Sequence, residues 1–259
     1  MRTDHYLTFS PALGHDLEMY RYSSDAGAVG QPLLAFPSMN GRVWDWEGYG
    51  MVESIRHLID AGRVTLYVTD GIDWQSWTAG DKPMAERVLR HADFDRYLVE
   101  ELLPRIRDET GRDTIWATGC SMGGFHSTSL LFRHPELIDG LIAMSGVYQP
   151  RRFIGELIDA AVIEASPLDR LPLETDPQRL AQLRRARIVF CVGQGAWEDD
   201  MLVDTRAMEA LLAEKRIPAF IDYWGHDVNH DWPWWQKMLP YHLERMLAPA
   251  WAPGTAVAI

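Results

Sequence analysis

Short apolar runs bounded by proline and glycine alternate with stretches whose apolar positions recur every three or four residues. HYLTF and LEMYRY read as two antiparallel strands joined around Pro11 and Gly14. PLLAF is a fully apolar run of the kind that forms a buried strand. A loop rich in Gly and Trp follows, then a helical pattern from Val52 to Ala61, and VTLYVTD gives the next strand. FDRYLVEELLPRIRDET has helical spacing and stops at Gly111. TIWATG, LIDGLIAMSG, RIVFCVG and AFIDYW are predicted strands, and GGFHSTSLLFRH, TRAMEALLAEK and WPWWQKMLPYHLERML the helices that follow three of them.

This alternation predicts an α/β fold: a mostly parallel open sheet covered by helices on both faces. From about Val147 to Arg187 the rhythm breaks, with Pro150, Pro167, Pro172 and Pro177 between short helical pieces. That stretch is expected to be a cap-like insertion within a single domain spanning residues 1–259, and the Ala- and Pro-rich tail after Ala248 is expected to fray.

Composition narrows the function. The chain has 259 residues, 47% hydrophobic, and a formal net charge of −12 with no basic run, which argues against nucleic acid and anionic membranes as partners. Its two cysteines, Cys120 and Cys191, fall in or beside predicted buried strands and are expected to be free thiols, as in a cytoplasmic protein. The first twenty residues show neither signal peptide nor anchor, and no run approaches the roughly 18 apolar residues of a membrane span.

Candidate chemistry centres on IWATGCSMGGFHS, residues 115–127. Gly119-Cys120-Ser121-Met122-Gly123 fits G-x-S-x-G between a predicted strand and a predicted helix, the context this motif requires. The glycines permit a tight turn that exposes Ser121 Oγ above the sheet, while the Met122 N–H and the helix N-terminus can stabilise an oxyanion. Cys120, one place earlier, is expected to turn away and pack. A second oxyanion donor is expected from AFPSMNG, after the third strand. A serine nucleophile needs an acid and then a histidine later in the chain. QGAWEDDML offers Glu198, Asp199 and Asp200, and WGHDVNHDWPWW offers His226 and His230.

The serine motif, followed by H-x-W-x-x-W (His230, Trp232, Trp235) before the last helix, resembles the esterase D-type family of esterases. That family includes S-formylglutathione hydrolases, feruloyl esterases, enterochelin esterases and mycolyltransferases. The resemblance implies an α/β-hydrolase fold and an acyl-enzyme on Ser121 formed from a small-molecule ester, with no cofactor. It carries the base to His230 and leaves His226 to shape the loop or pocket. It favours Glu198 over Asp199 and Asp200, since the acid closely follows a glycine, here Gly195; many relatives have Asp there. Phe36-Pro37 stands where relatives have His-Gly or Ser-Gly, which implies the Ser38 N–H as second donor, with Met39 as the fallback.

Met39, Trp77, Trp197, His226 and Trp232 are the expected pocket residues, drawn from segments that should lie at the carboxyl ends of strands. His126 is expected to be structural. The spacing of His226 and His230 also admits a metal site, but the flanking Gly225 and Pro233 suit a loop and no third ligand is evident, so no metal is expected. Two other outcomes stay open: transfer to an alcohol or sugar acceptor, and a silent binding protein of the same fold. The oligomeric state, homo-oligomer included, is open too.

Overall fold

The computed structural model describes residues 1–155, 160–249 and 251. Among them, β1 (Arg2–Ser10), β2 (His15–Ser23), β3 (Gln31–Phe36), β4 (Val64–Thr69), β5 (Ile115–Cys120), β6 (Ile138–Met144), β7 (Arg187–Val192) and β8 (Phe220–Tyr223) form one sheet. Its order is β1-β2-β4-β3-β5-β6-β7-β8. The pairs β1/β2 and β2/β4 are antiparallel, and every pair from β4 to β8 is parallel.

Alternate residues of the central strands feed opposite faces, as the pleat requires. Leu34, Phe36, Ala117, Leu141 and Phe190 enter a core closed by Phe94, Leu103, Leu130 and Met208. Leu33, Ala35, Cys120, Ile142 and Cys191 enter the other, closed by Trp46, Ile55, Met238 and Leu243. β4 and β5 are buried throughout, which explains why they read as unbroken apolar runs.

Strand order reverses around β3, which β4 and β5 flank on opposite sides. Loops leaving the carboxyl ends at such a point splay apart and open a crevice. The loop beginning at Pro37 and the turn carrying Ser121 both leave the sheet there.

The helix expected from Phe94 starts ten residues earlier, at Met84, after Pro83. Its first turns read as polar because Glu86, Arg87 and Arg90 interrupt the apolar spacing. Arg87 is nonetheless buried, donating to the Ser76, Trp77 and Phe153 carbonyls. A wide turn at Leu98–Leu102 precedes Pro104, which cannot donate to the helix ladder.

Between β6 and β7 lie short helices at Arg151–Ile154, Ala160–Ala165, Pro167–Arg170 and Pro177–Arg185. Ile154, Val162 and Ala165 pack with Met122 and Phe125 of the helix Met122–Arg133. Part of the expected insertion, residues 156–159, and most of the expected frayed tail lie outside the described residues.

Candidate active site

Ser121 takes φ 56° and ψ −118°, between β5 and the helix Met122–Arg133. A non-glycine residue pays about 1–3 kcal/mol for such a backbone, so the surroundings must enforce it. They do so by backbone contact. A Cβ on Gly119 would lie 2.3 Å from the Gly123 carbonyl carbon, and one on Gly123 only 2.5 Å from the Phe36 oxygen. A Cβ on Gly124 would stand 2.7 Å from Gly146 Cα. The Ser121 N–H donates to the Met144 carbonyl at 2.9 Å, and the Ser121 carbonyl accepts from Gly124 N at the same distance.

One strand further, Ser145 follows Met144, also at positive φ (47°). Its Oγ donates to Glu198 Oε1 at 2.5 Å and accepts from Trp235 Nε1 at 3.1 Å. Glu198 is completely buried, and its Oε2 faces His230 Nδ1 at 3.2 Å. A carboxylate only accepts, so Nδ1 carries the proton and Nε2 of the neutral ring is left as an acceptor. The His230 ring stands edge-to-face on Trp235, centroids 4.9 Å apart. Thus the second tryptophan of H-x-W-x-x-W supports the imidazole and anchors Ser145 at once.

The loops carrying Glu198 and His230 are zipped together. Gly195 N donates to Val228 O, Ala196 N to Asn229 Oδ1, and His230 N to Ala196 O, at 2.8 to 3.0 Å. Any Cβ on Gly193 or Gly195 would collide with this strip, at 2.2 Å from Val228 O and 2.4 Å from Asn229 Oδ1. Hence Glu198 closely follows glycine. Asp199 and Asp200 lie in the first turn of the next helix, and Asp200 pairs with Arg152 at 2.6 Å. Cys120 is fully buried, and burial pushes its thiol pKa far up.

Ser121, Glu198 and His230 are therefore brought to the same end of neighbouring strands through Met144 and Ser145. Among the described residues Ser121 Oγ makes no hydrogen bond; such contacts are often loose before substrate binds. Ser38 is half-buried at the head of a turn closed by Gly41 N donating to Ser38 O at 2.8 Å. Met122 is buried.

Of the expected pocket residues, Met39 and Trp197 are exposed, the latter 83%, and His226 is exposed. Trp232 is half-buried and stacks on Tyr49 at 4.6 Å. Trp77 offers no surface to a ligand in this structure: it is fully buried against His91 and Phe125. Its large apolar ring packs against the helix Met122–Arg133 through Phe125. Among the described residues no group of three or more His, Cys, Asp or Glu is arranged to hold a metal ion.

Sequence reasoning passed over Ser145, Asn229 and Asp73. A serine-glycine pair ending a buried strand, and an asparagine directly before the histidine, were the available signals for the first two.

The strand order and the strained strand-to-helix serine define an α/β-hydrolase. Solved structures share this fold over nearly the whole chain. A ferulic acid esterase matches with TM-score 0.72 at 18% identity, covering 94% of this chain and 98% of its own. An S-formylglutathione hydrolase from Agrobacterium tumefaciens matches with TM-score 0.71 at 14% identity, covering 93% and 94%. Fluorophosphonate-binding serine hydrolase F of Staphylococcus aureus matches with TM-score 0.65 at 14% identity, covering 95% and 98%. The sequence itself gives the family: the profile described as "Putative esterase" matches residues 50–246. The chain belongs to that family and is a serine hydrolase of the esterase type. No curated protein sequence matches it.

Proposed function

We propose that the protein hydrolyses a small-molecule carboxylic ester through an acyl-enzyme on Ser121, with His230 as base and Glu198 as its orienting acid. The observation that carries this reading is the buried Glu198 bonded to His230 Nδ1, at the same end of the sheet as a serine on a strained turn.

Nε2 of His230 takes the Ser121 proton as Oγ attacks the ester carbonyl. The negative charge that develops on the carbonyl oxygen is met by the N–H groups of Met122 and Ser38 and by the helix N-terminus. The imidazolium returns the proton to the leaving alcohol, and water then repeats the sequence on the acyl-enzyme. Glu198 cannot swing away, because Ser145 holds its second oxygen. It therefore fixes the tautomer and stabilises the imidazolium. Trp197, exposed beside Glu198, and Met39, exposed beside Ser38, are suited to contact the acyl or alcohol part of the substrate.

Incubation with a fluorophosphonate probe, followed by peptide mapping, tests the reading. About one equivalent on Ser121, with loss of p-nitrophenyl ester hydrolysis, is expected. Full activity after complete labelling, or labelling elsewhere, overturns it. A panel including feruloyl esters and S-formylglutathione, the substrates named for two structural neighbours, then sorts the substrate class.

A further inference from the structure

Behind the proposed oxyanion loop lies a buried pair that the reaction scheme above does not use. Asp73 opens a single 3-10 turn, Asp73–Gln75, beyond the carboxyl end of β4. It is 2% exposed and its two oxygens serve two different elements. Oδ1 accepts from His126 Nε2 at 2.9 Å, and His126 lies on the helix that Ser121 opens. Oδ2 accepts from the backbone N–H of Asn40 at 3.2 Å. We propose that Asp73, with His126, is a positioning device that fixes the turn carrying Ser38 against the nucleophile helix. The inference rests on the serine-esterase reading and names what holds its oxyanion hole.

The geometry of the turn explains why one carboxylate suffices. Gly41 N bonds to Ser38 O, and Asn40, third in the turn, has φ 56°, as a type II turn demands. Turns of types I and II differ in the orientation of their central peptide, here that of Met39 and Asn40. The Asn40 N–H belongs to that peptide, so the bond to Asp73 selects one orientation. A flip would strand a buried carboxylate oxygen.

The rest of the loop is already fixed. Gly123 meets the Phe36 and Pro37 carbonyls, where a Cβ would lie at 2.5 and 2.7 Å. Trp46 Nε1 donates to the Phe36 carbonyl at 3.0 Å. Asp73 links the outer half of the loop to the helix through its side chain. Asp73 is itself clamped, since its carbonyl accepts from Ser76 N at 3.0 Å and Thr78 N at 2.9 Å. The His126 ring is caged by Phe36, His91, Phe94 and Phe125, with centroids 5.4 to 5.9 Å away. A carboxylate fits this place because it accepts from two donors at once.

The test uses Asp73→Ala, Asp73→Asn and His126→Phe in the full-length protein, with p-nitrophenyl acetate as substrate. Each preparation is titrated to completion with a fluorophosphonate, so that kcat refers to competent sites only. A boronic acid, which forms a tetrahedral adduct on serine, reports transition-state binding. Asp73→Ala is expected to lower kcat per site about 30-fold, less than outright loss of an oxyanion donor, with KM within about threefold. Boronic acid affinity should fall in parallel. Asp73→Asn should recover most of the loss, because its amide accepts from Asn40 and donates to the other His126 tautomer.

Should Asp73→Ala not fold, His126→Phe carries the same test. It keeps the ring packing, removes the donor, and is expected to cost about tenfold in kcat per site. Unchanged per-site kcat and boronic acid affinity, with the deficit confined to the number of titratable sites or to Tm, overturns the inference and leaves only structural support. If the wild-type chain takes up no fluorophosphonate at Ser121, the esterase reading itself fails and this inference falls with it.

Discussion

Among the described residues two histidines face buried carboxylates, and comparing them shows what separates a candidate base from a strut. His126 meets Asp73 at 2.9 Å and His230 meets Glu198 at 3.2 Å, with the acids 2% and 0% exposed. Distance does not distinguish them; His5–Glu18 and His57–Glu244 reach 2.8 Å on the open surface. The imidazoles differ: the His126 side chain is 4% exposed in an aromatic cage, whereas that of His230 is 16% exposed on a loop. A general base needs one nitrogen held and the other able to meet a reacting proton. His230 has Nδ1 held and a partly exposed ring, while the caged His126 meets only the first condition.

The largest expected effect breaks the comparison at its centre. Ser121→Ala and His230→Ala should each lower kcat by roughly 10⁶, since members of a triad act as a unit. His126→Phe, by contrast, is expected near tenfold. Steady-state kinetics on one p-nitrophenyl ester rank the three, and a His126→Phe loss as deep as that of His230→Ala would exchange their roles.

The acids come next. Glu198→Gln should cost about 10⁴ in kcat, because the amide disturbs the tautomer that presents Nε2 to the serine. Asp199→Asn and Asp200→Asn should stay within about threefold, as exposed residues outside the hydrogen-bonded chain. An equal loss in Asp199→Asn would move the acid one place along.

Ser145→Ala sharpens the comparison further, because no serine braces the Asp73 carboxylate. Without its hydroxyl, Glu198 Oε1 and Trp235 Nε1 each lose a buried partner. A net cost of about 1–3 kcal/mol is expected in folding stability, read by denaturant titration. A kcat loss of about tenfold should accompany it, as Glu198 gains freedom to turn. A variant that loses stability but keeps kcat per titrated site would mean that Trp235 and the zipped loops alone hold the acid.

These pairs also mark the limit of what the sequence discloses. The strands of the mostly parallel sheet, the tight turn at Ser121 and the glycine before Glu198 were legible because each rests on local constraints: apolar runs bounded by Pro and Gly, a turn only small residues permit, and loops in backbone contact. The hydrogen bond joining Asp73 to His126 spans 53 positions, and that from Trp235 to Ser145 spans 90. Long-range pairs leave no periodicity in one sequence, so nothing there singled out Asp73. The start of the long helix at Met84 was hidden for a related reason: Arg87, whose charge interrupts the apolar spacing, is buried by bonds to the carbonyls of Ser76 and Phe153. Trp77 misled in the opposite sense, since its place after a strand end suggested a pocket wall while its ring packs inward.

The smallest expected effects concern His226, four residues before His230 and suggestive of a metal pair. The two histidines share a loop but not an environment. His226 is exposed, whereas His230 has its Nδ1 engaged by Glu198 and its ring braced by Trp235. A metal at His230 through Nδ1 would have to displace a buried carboxylate. Through Nε2 it would occupy the nitrogen that the serine mechanism needs. His226→Ala is therefore expected to change kcat by less than about threefold, with any shift falling mainly on KM through the loop surface. Prolonged EDTA or phenanthroline treatment should leave ester hydrolysis unchanged, because an imidazole-activated serine requires no metal-bound water. Chelator inactivation reversed by added zinc, together with a His226→Ala loss matching that of His230→Ala, would dissolve the comparison. The two histidines would then be a single ligand set, with Ser121 beside the chemistry instead of in it.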